Sequence, residues 1–303
     1  MRPGGAAGRM IKLMKSYSDI AGDGGSRVVE QVTAQRARVA RNLRGVRRHL
    51  AIGSGKGGVG KSTLTLGIAA ALRGQGLDVA ILDTDLNGPS QARLAGLRGA
   101  PLVPGSDGLA VPKTREGIGV VSLGSLFPES EAVAFESVAK GDSHTWRATR
   151  EFAFLGQLLG SVAWGELDFL LYDLPPGVER TLQYAEFLGP ETAFCLVTLP
   201  SDLSRGVVAR SVAALAEASN PLLGYVENMA GYFCEGCGEV KALFPSSGEV
   251  QFDIPRLGSV PFDPRFAALG DGGRSILDQP ERPSSRAVVE VAERIVRAMG
   301  DQA

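Results

Sequence analysis

Residues 55–62 read Gly55-Lys56-Gly57-Gly58-Val59-Gly60-Lys61-Ser62. This stretch fits the pattern G-x-x-x-x-G-K-[ST] of a phosphate-binding loop. An apolar run at residues 50–53 precedes the loop, and a helix-compatible run at residues 63–72 follows it. The motif requires a strand, a loop and a helix in this order, so the surrounding sequence supports the assignment. The sequence therefore predicts a strand-loop-helix unit built around phosphate groups.

The residue types in this loop suit a magnesium nucleotide. Glycines let backbone N–H groups converge on phosphate oxygens without Cβ clashes, and the helix adds the positive end of its dipole. We expect Lys61 to reach the β- and γ-phosphates, Ser62 to ligate Mg²⁺ and Thr63 to contact the α-phosphate. The expected nucleotide-binding set in this region is Gly55, Gly57, Gly58, Val59, Gly60, Lys61, Ser62 and Thr63.

A second lysine, Lys56, lies inside the loop. It has no evident task in holding one nucleotide within one chain. One interpretation leaves Lys56 in solvent. The other lets Lys56 cross a dimer interface to the partner's nucleotide, where negative charge builds up in the transition state, and gives it a catalytic role.

Short apolar runs alternate with helix-like segments from residue 49 onward. The predicted buried strands are residues 50–53, 79–82, 119–123, 169–172, 194–198 and 224–227. This alternation is typical of βαβ units, because parallel strands need helical crossovers. We therefore predict an α/β fold with one doubly wound, mainly parallel sheet.

Composition narrows the possible function classes. The chain has 303 residues, of which 44% are hydrophobic, and only 3 cysteines. Three cysteines cannot form a disulfide framework, which favours a reducing compartment, and we expect a cytoplasmic protein. The near-neutral net charge of −1 and the short apolar runs give no reason to expect stable binding to nucleic acid or membranes.

Positive charge is concentrated at the N-terminus, where residues 1–50 hold 11 Lys plus Arg against 3 Asp plus Glu. We predict a partly disordered basic segment at 1–48 and a P-loop domain at 49–303. Apolar spacing in residues 28–46 suggests a weak amphipathic helix. The basic residues either meet an anionic partner, or belong to an organellar presequence, or form the solvated side of a helix docked on the core.

Carboxylates follow two of the predicted strands. Asp83 and Asp85 come after residues 79–82, and Asp173 comes after residues 169–172 and before a Pro-Pro-Gly turn. An apolar strand followed by Asp and a turn is the layout of a Walker B end, where a carboxylate holds Mg²⁺ through water. Each Asp taken singly could instead cap its strand.

Cys234 and Cys237 form a Cys-x-x-Cys pair. A tetrahedral zinc or a cubane cluster needs four ligands, whereas Cys195 lies in an apolar run and His49 and His144 are far away in sequence. A redox pair, a zinc site closed by dimerisation, an iron–sulfur cluster bridged across a two-fold axis and two unliganded thiols all remain open.

The phosphate loop with its second lysine resembles that of the MinD-like, or ParA/MinD-type, ATPases. Further segments resemble the Mrp family of iron–sulfur cluster carrier ATPases, and together they span about residues 44–280. They are Asp85 to Ser90, Trp164-Gly165-Glu166-Leu167-Asp168, Asp173-Leu174-Pro175-Pro176-Gly177, Val226-Glu227-Asn228-Met229, Tyr232-Phe233-Cys234 with Cys237-Gly238, and Leu257-Gly258-Ser259-Val260-Pro261.

This resemblance implies a slow, Mg²⁺-dependent ATPase that works as a homodimer. It implies that Asp85 activates the attacking water, that Asp83 supports Mg²⁺ hydration, and that Asp173 is the Walker B residue. It also implies that Asn228 contacts adenine. A [4Fe–4S] cluster bridging Cys234 and Cys237 of both chains would come from a cluster scaffold and pass to apo-proteins.

The alternative is a MinD/ParA-like switch ATPase for partitioning or spatial organisation, which would need a membrane or DNA surface. The C-terminal run at residues 285–299 predicts an ordinary packed helix and not a membrane anchor. Residues 135–151 depart from the family pattern between the two switch segments, which leaves the hydrolysis rate open.

Overall fold

The structure is a computed structural model that describes residues 28–86, 88–122, 144–243 and 252–300. Ten strands are described: β1 (His49–Gly53), β2 (Val79–Asp83), β3 (Val103–Pro104), β4 (Leu109–Ala110), β5 (Gly119–Val121), β6 (Phe169–Asp173), β7 (Thr192–Thr198), β8 (Leu222–Cys234), β9 (Glu239–Lys241) and β10 (Arg256–Phe262). Eight of them form one sheet in the order β10-β8-β7-β1-β6-β2-β5, with β9 paired to β8. All pairs in this sheet are parallel except β8–β9.

Helices connect the parallel strands. The described helices are α1 (Val28–Asn42), α2 (Lys61–Gly74), α3 (Gln91–Leu94), α4 (His144–Ser161), α5 (Val178–Leu188), α6 (Asp202–Ala216), α7 (Pro264–Asp271) and α8 (Pro283–Gly300), with a 3₁₀ turn at Ile276–Asp278. The short β3–β4 hairpin lies apart from the main sheet. The predicted segment at residues 119–123 is a strand over Gly119–Val121, and residues 123–143 lie outside the described part.

The alternation of side chains along β1 shows how the core is divided. Leu50 and Ile52 are fully buried in the cluster that includes α2 and α8, whereas Ala51 is fully buried in the cluster that includes α4 and α5. Successive residues of a strand point to opposite faces, so one strand feeds both layers. The predicted doubly wound, mainly parallel α/β fold is confirmed.

Strand β8 is much longer than predicted. Sequence reasoning placed it at residues 224–227, and the structure extends it over Leu222–Cys234. Glu227 and Asn228 interrupt the apolar run in the middle of the strand, and the second half, residues 229–234, pairs with β10 and β9. Its register slips after Asn228, where Met229 has a φ of 55°. A non-glycine residue in this region marks a bulge that the surrounding structure enforces.

Helix α1 docks on α4. Asn42 Nδ2 donates to the carbonyls of Leu159 (3.1 Å) and Val162 (2.6 Å), and Gln35 Nε2 donates to the carbonyl of Ala153 (3.0 Å). Gly156 leaves room for the Gln35 side chain, since a Cβ there would lie 2.5 Å from Gln35 Nε2. Helix α1, the described part of the basic N-terminal segment, is therefore packed on α4 through side chains that include Gln35 and Asn42.

The C-terminal run forms α8, an amphipathic helix whose apolar side is buried. Val288, Val291 and Ile295 are at most 1% exposed. The expectation of an ordinary packed helix at residues 285–299 is confirmed. Among the described residues, no helix has the length and apolar character needed to cross a membrane.

His49 at the start of β1 links folding stability to pH. Its Nδ1 lies 2.8 Å from the hydroxyl of Tyr172, and burial lowers the pKa of His49 to about 4. The folded protein keeps this imidazole neutral, whereas the unfolded chain binds a proton below a pH of about 6.5. The contribution of the neutral His49 to the free energy of unfolding is fully present above a pH of about 6.5 and is lost as the pH falls towards 4.

We expect His49→Gln, which keeps a polar partner for Tyr172, to flatten this dependence. The affected free energy of unfolding is on the order of 3 kcal/mol between pH 6.5 and 4. Urea titrations of both proteins across this range, without nucleotide, measure the difference. If the free energy of unfolding changed with pH by the same amount in both proteins, the lowered pKa of His49 would be contradicted.

Candidate functional site: a phosphate loop and a cysteine hairpin

The phosphate loop connects β1 to α2 and depends on glycine geometry. Gly58 and Gly60 have φ values of 76° and 80°, which L side chains rarely adopt. A Cβ on Gly60 would also lie 2.2 Å from Asn228 Nδ2, so the loop and the middle of β8 meet here. Asn228 is 8% exposed, and its Nδ2 donates to the carbonyl of Val59 at 2.8 Å.

A buried ion pair joins the loop to the end of β6. Lys61 Nζ lies 2.5 Å from Asp173 Oδ1, with side-chain exposures of 8% and 0%. Asp173 also accepts from Thr65 Oγ1 (3.1 Å) and from Gln91 Nε2 (2.8 Å). Several donors therefore hold this carboxylate in place, and the ammonium of Lys61 is one of them.

Asp83 lies directly beside Asp173, because β2 and β6 are neighbours and the two residues are register partners. Its Oδ2 accepts from the backbone N–H groups of Ser90 (2.9 Å) and Gln91 (3.0 Å) and from Ser122 Oγ (2.9 Å). Burial, reinforced by the charge of Asp173, raises the pKa of Asp83 to about 7. Two adjacent buried carboxylates of this kind attract a cation.

Other predicted residues lie around this centre. Asp85 is half-buried, and its Oδ1 accepts from the N–H of Gly88 at 3.1 Å. Lys56 is half-buried, and its carbonyl accepts from Ser54 Oγ at 2.9 Å. Ser62 and Thr63 form the first turn of α2. The structure thus brings the loop, Asp83 and Asp173 together, with Asp85 two residues beyond Asp83.

Sequence reasoning missed two residues that connect the acidic segments. The N–H and Oγ1 of Thr84 both donate to the carbonyl of Asp173, at 3.0 and 2.8 Å. The hydroxyl of Tyr184 lies 2.8 Å from the carbonyl of Thr84. Thr84 is therefore held from both sides, which fixes the backbone between Asp83 and Asp85. Tyr184 comes from α5 and carries no local sequence signal for this contact.

Gln91 was also missed, and it shows how the site fits Mg²⁺. Its Nε2 donates to the carbonyl of Ser62 (2.9 Å) and to Asp173, whereas its buried Oε1 has no hydrogen-bond partner among the described residues. An unfilled buried acceptor is costly, and a water molecule commonly satisfies one. Mg²⁺ keeps several of its own waters in such sites, so oxygen ligands and free acceptors suit it.

The cysteine pair lies at the turn between β8 and β9. Cys234 is half-buried and ends β8, and Cys237 is exposed in the turn. The N–H groups of Cys237 and Gly236 point at Cys234 Sγ and lower the pKa of Cys234, and the thiol of Cys237 contributes in the same direction. The N–H of Gly238 donates to the carbonyl of Cys234 at 2.8 Å and closes the turn.

This pair offers two thiols to a metal, whereas a tetrahedral zinc or a cubane cluster takes four ligands. Within the described ranges, no group of three or more His, Cys, Asp and Glu side chains is arranged to hold a metal. Cys195 is fully buried in β7, and burial raises the pKa of its thiol to about 12, which makes it a core residue as expected. Residues 244–250, which follow the hairpin, lie outside the described part.

The parallel sheet, the phosphate loop and the carboxylates at neighbouring strand ends define a P-loop NTPase. The chain belongs to the ParA-type family whose model is described as "NUBPL iron-transfer P-loop NTPase", which matches residues 45–296. This result confirms the resemblance to iron–sulfur cluster carriers seen in the sequence.

Curated relatives agree with this family. The chain is 32% identical over 277 residues to the iron-sulfur cluster carrier protein of Saccharolobus solfataricus, covering 89% of this chain and 90% of that protein. It is 36% identical over 265 residues to the cytosolic Fe-S cluster assembly factor NUBP2 of Bos taurus, covering 84% and 94%.

Solved structures support the same fold. A nucleotide-binding protein from Archaeoglobus fulgidus in complex with ADP has a TM-score of 0.66 and 32% identity, covering 78% of this chain and 91% of that one. The septum site-determining protein MinD of Pyrococcus horikoshii, complexed with Mg-ADP, has a TM-score of 0.57 at 23% identity, covering 85% and 99%. The MinD likeness concerns the fold alone.

Proposed function

We propose that this protein is an ATP-hydrolysing carrier that holds a [4Fe–4S] cluster between two copies of the chain and transfers it to apo-proteins. The observation that carries the proposal is the half-site at Cys234 and Cys237. Two surface thiols on one chain leave a four-ligand group incomplete, and an isologous dimer supplies the other two. The cluster scaffolds and client proteins are the partners of this cycle.

The phosphate loop is the nucleotide site in this proposal. Lys61 leaves Asp173 when ATP binds and moves to the β- and γ-phosphates, whereas Thr65 and Gln91 keep Asp173 in place. Ser62 would hold Mg²⁺, with Asp83 and Asp173 acting on its hydration shell. When bound, Mg²⁺ neutralises phosphate charge during the transfer.

Asp85 is the residue we assign to orienting the attacking water. Its position depends on Thr84, which Asp173 and Tyr184 hold from opposite sides. Lys61 contacts the carboxylate of Asp173 and Thr84 contacts its backbone carbonyl, so a single residue connects the phosphate loop to the backbone beside Asp85. This arrangement links phosphate binding to the water-orienting residue.

Lys56 is assigned to the nucleotide of the partner chain. A closed dimer places two positive loops near two phosphate chains, so ATP would bind the closed form better than the open one. Such differential affinity shifts the population towards the closed dimer. Strand β8 carries Asn228 at the loop and Cys234 at its end, so dimer closure and cluster geometry share one strand.

The test is cluster transfer from the anaerobically reconstituted protein to an apo-form of a [4Fe–4S] enzyme. We expect transfer to be faster with Mg-ATP than with a non-hydrolysable analogue, and the Lys56→Ala protein to lose that difference. Stoichiometric zinc in place of iron, or no cluster after reconstitution, would reject the carrier function.

A further inference from the structure

The cysteine hairpin projects beyond the main sheet. The last residue of β8 paired with β10 is Tyr232, opposite Phe262. Beyond that point β9 is the one strand among the described residues that pairs with β8, and its three residues are all exposed. A two-stranded hairpin is only marginally stable in water. Some contact other than sheet pairing must therefore fix the turn that carries the cysteines.

Arg282, just before α8, is itself held firmly in place. Its guanidinium makes a two-pronged ion pair with Asp263, with Nε to Oδ2 and Nη2 to Oδ1 both at 2.6 Å. Asp263 is buried, caps α7 through the N–H of Arg265 (3.0 Å) and accepts from Ser284 Oγ (2.8 Å). The Arg282 side chain is 12% exposed, so this anchor has little freedom.

The same guanidinium reaches the hairpin on both sides of Cys234. It lies 4.8 Å from the ring centre of Phe233, which precedes the cysteine. Its Nη2 lies 3.0 Å from Glu235 Oε1, which follows the cysteine, and Arg265 Nε lies 2.6 Å from the same oxygen. Cation–π and charge-assisted contacts of this kind favour one orientation of a turn.

We propose that Arg282, together with Arg265 and Glu235, is a clamp that positions the cysteine turn and thereby sets how slowly a bound cluster is lost. The role of these residues is positioning, since none of them is a ligand. The inference rests on the proposed function for its cargo, but the orientation of the turn belongs to the metal-free chain. The clamp also joins the turn to the corner between β10 and α7.

The most direct test is Glu235→Gln, which removes the negative charge that Arg282 and Arg265 share on the turn and leaves the pair between Arg282 and Asp263 intact. Glu227→Gln is the matched control. Glu227 lies on the same strand, away from the turn, and its Oε2 is 3.1 Å from Arg256 Nη1. Arg282→Gln is less useful, since it leaves Asp263 buried without its cation.

Two measurements read the clamp independently. Amide hydrogen exchange of the metal-free protein should rise about three- to tenfold in residues 232–241 of the Glu235→Gln protein and stay unchanged in β7. Cluster loss to an iron chelator should accelerate by a similar factor. The Glu227→Gln protein should have the same amide exchange rates in the hairpin and the same rate of cluster loss as the unsubstituted protein.

The possible results separate the clamp from the carrier function. Unchanged exchange in the hairpin of Glu235→Gln overturns the clamp, and so does faster exchange with an unchanged rate of cluster loss. If the unchanged protein holds no cluster, the carrier function fails. The clamp is then tested by amide hydrogen exchange and by the rate at which Zn²⁺ leaves the cysteine pair. Both should be faster in Glu235→Gln than in the unsubstituted protein, and no change in either one would overturn the clamp.

Discussion

Replacing Lys61 by alanine is expected to lower the affinity for ATP by at least about 100-fold. Lys61 is the lysine of the loop that we assign to the β- and γ-phosphates, and each hydrogen bond to a charged group contributes about 1.5–3 kcal/mol. Loss of two such contacts, one to each terminal phosphate, accounts for the size of the effect. Equilibrium binding of a fluorescent ATP analogue measures it.

The same substitution should also destabilise the nucleotide-free protein. Asp173 is fully buried and would lose its cation, although Thr65 and Gln91 continue to donate to it. Removing one partner of a buried ion pair costs about 3–5 kcal/mol, and the remaining donors place this case near the lower end. Urea denaturation without nucleotide reports this term separately from binding.

A double variant separates the two effects. Lys61→Ala with Asp173→Asn removes the unpaired charge, so it should recover much of the lost stability while the affinity for ATP stays as low as in Lys61→Ala. Asp173→Asn alone is the control for the pair. If Lys61→Ala kept normal ATP affinity, the phosphate-loop assignment would be wrong. If Lys61→Ala and the double variant were equally stable, the buried ion pair between Lys61 and Asp173 would be contradicted.

Replacing Cys234 by alanine is expected to remove essentially all iron from the anaerobically reconstituted protein while leaving ATP affinity within about twofold. The cysteine turn and the phosphate loop are separate sites at different points of β8, which meets the loop at Asn228 and ends at Cys234. A cubane cluster with two of its four cysteine ligands missing from the dimer is not retained. Iron analysis and ATP binding on the same preparation give both numbers.

Cys195→Ala is the matched control for this experiment. Cys195 is fully buried in β7 and lies away from the hairpin, so its loss should leave the iron content unchanged. Cys195→Ala leaves a small cavity, which lowers the free energy of unfolding and does not change the iron content. Iron retained by the Cys234→Ala protein, or lost equally from both proteins, would refute the assignment of the cluster ligands.

The fold could be predicted because its signals are local. The phosphate loop fixes one strand and one helix around residues 55–62, and the apolar runs before Asp83 and Asp173 fix two more strands. Parallel sheets are buried on both faces, so their strands stand out as continuous apolar runs. These features placed both carboxylates at the edge where the structure finds them.

Contacts between distant segments could not be predicted in the same way. The pairing of Lys61 with Asp173, the donation from Gln91 and the hold of Tyr184 on Thr84 all join residues far apart in sequence. Each is made by ordinary residue types that carry no pattern of their own. They become visible only when the sheet order places β1 and β2 on either side of β6.

The cysteine hairpin falls between these two cases. The spacing of Cys234 and Cys237 left a redox pair, a metal site and two free thiols open, and only the family resemblance favoured a cluster. The projection of β8 and its anchor at Arg282 depend on tertiary structure. The roles of the individual site residues stay predictions until binding and metal content are measured. The family membership, in contrast, is shown by the match over residues 45–296.

The most direct test of the carrier account is native mass spectrometry of the anaerobically reconstituted protein, combined with iron and acid-labile sulfide analysis. The account predicts a dimer with a single [4Fe–4S] cluster, which corresponds to about two iron and two sulfide per chain. A monomer that carries its own metal, or a dimer with zinc and no sulfide, would contradict a cluster shared between Cys234 and Cys237 of two chains.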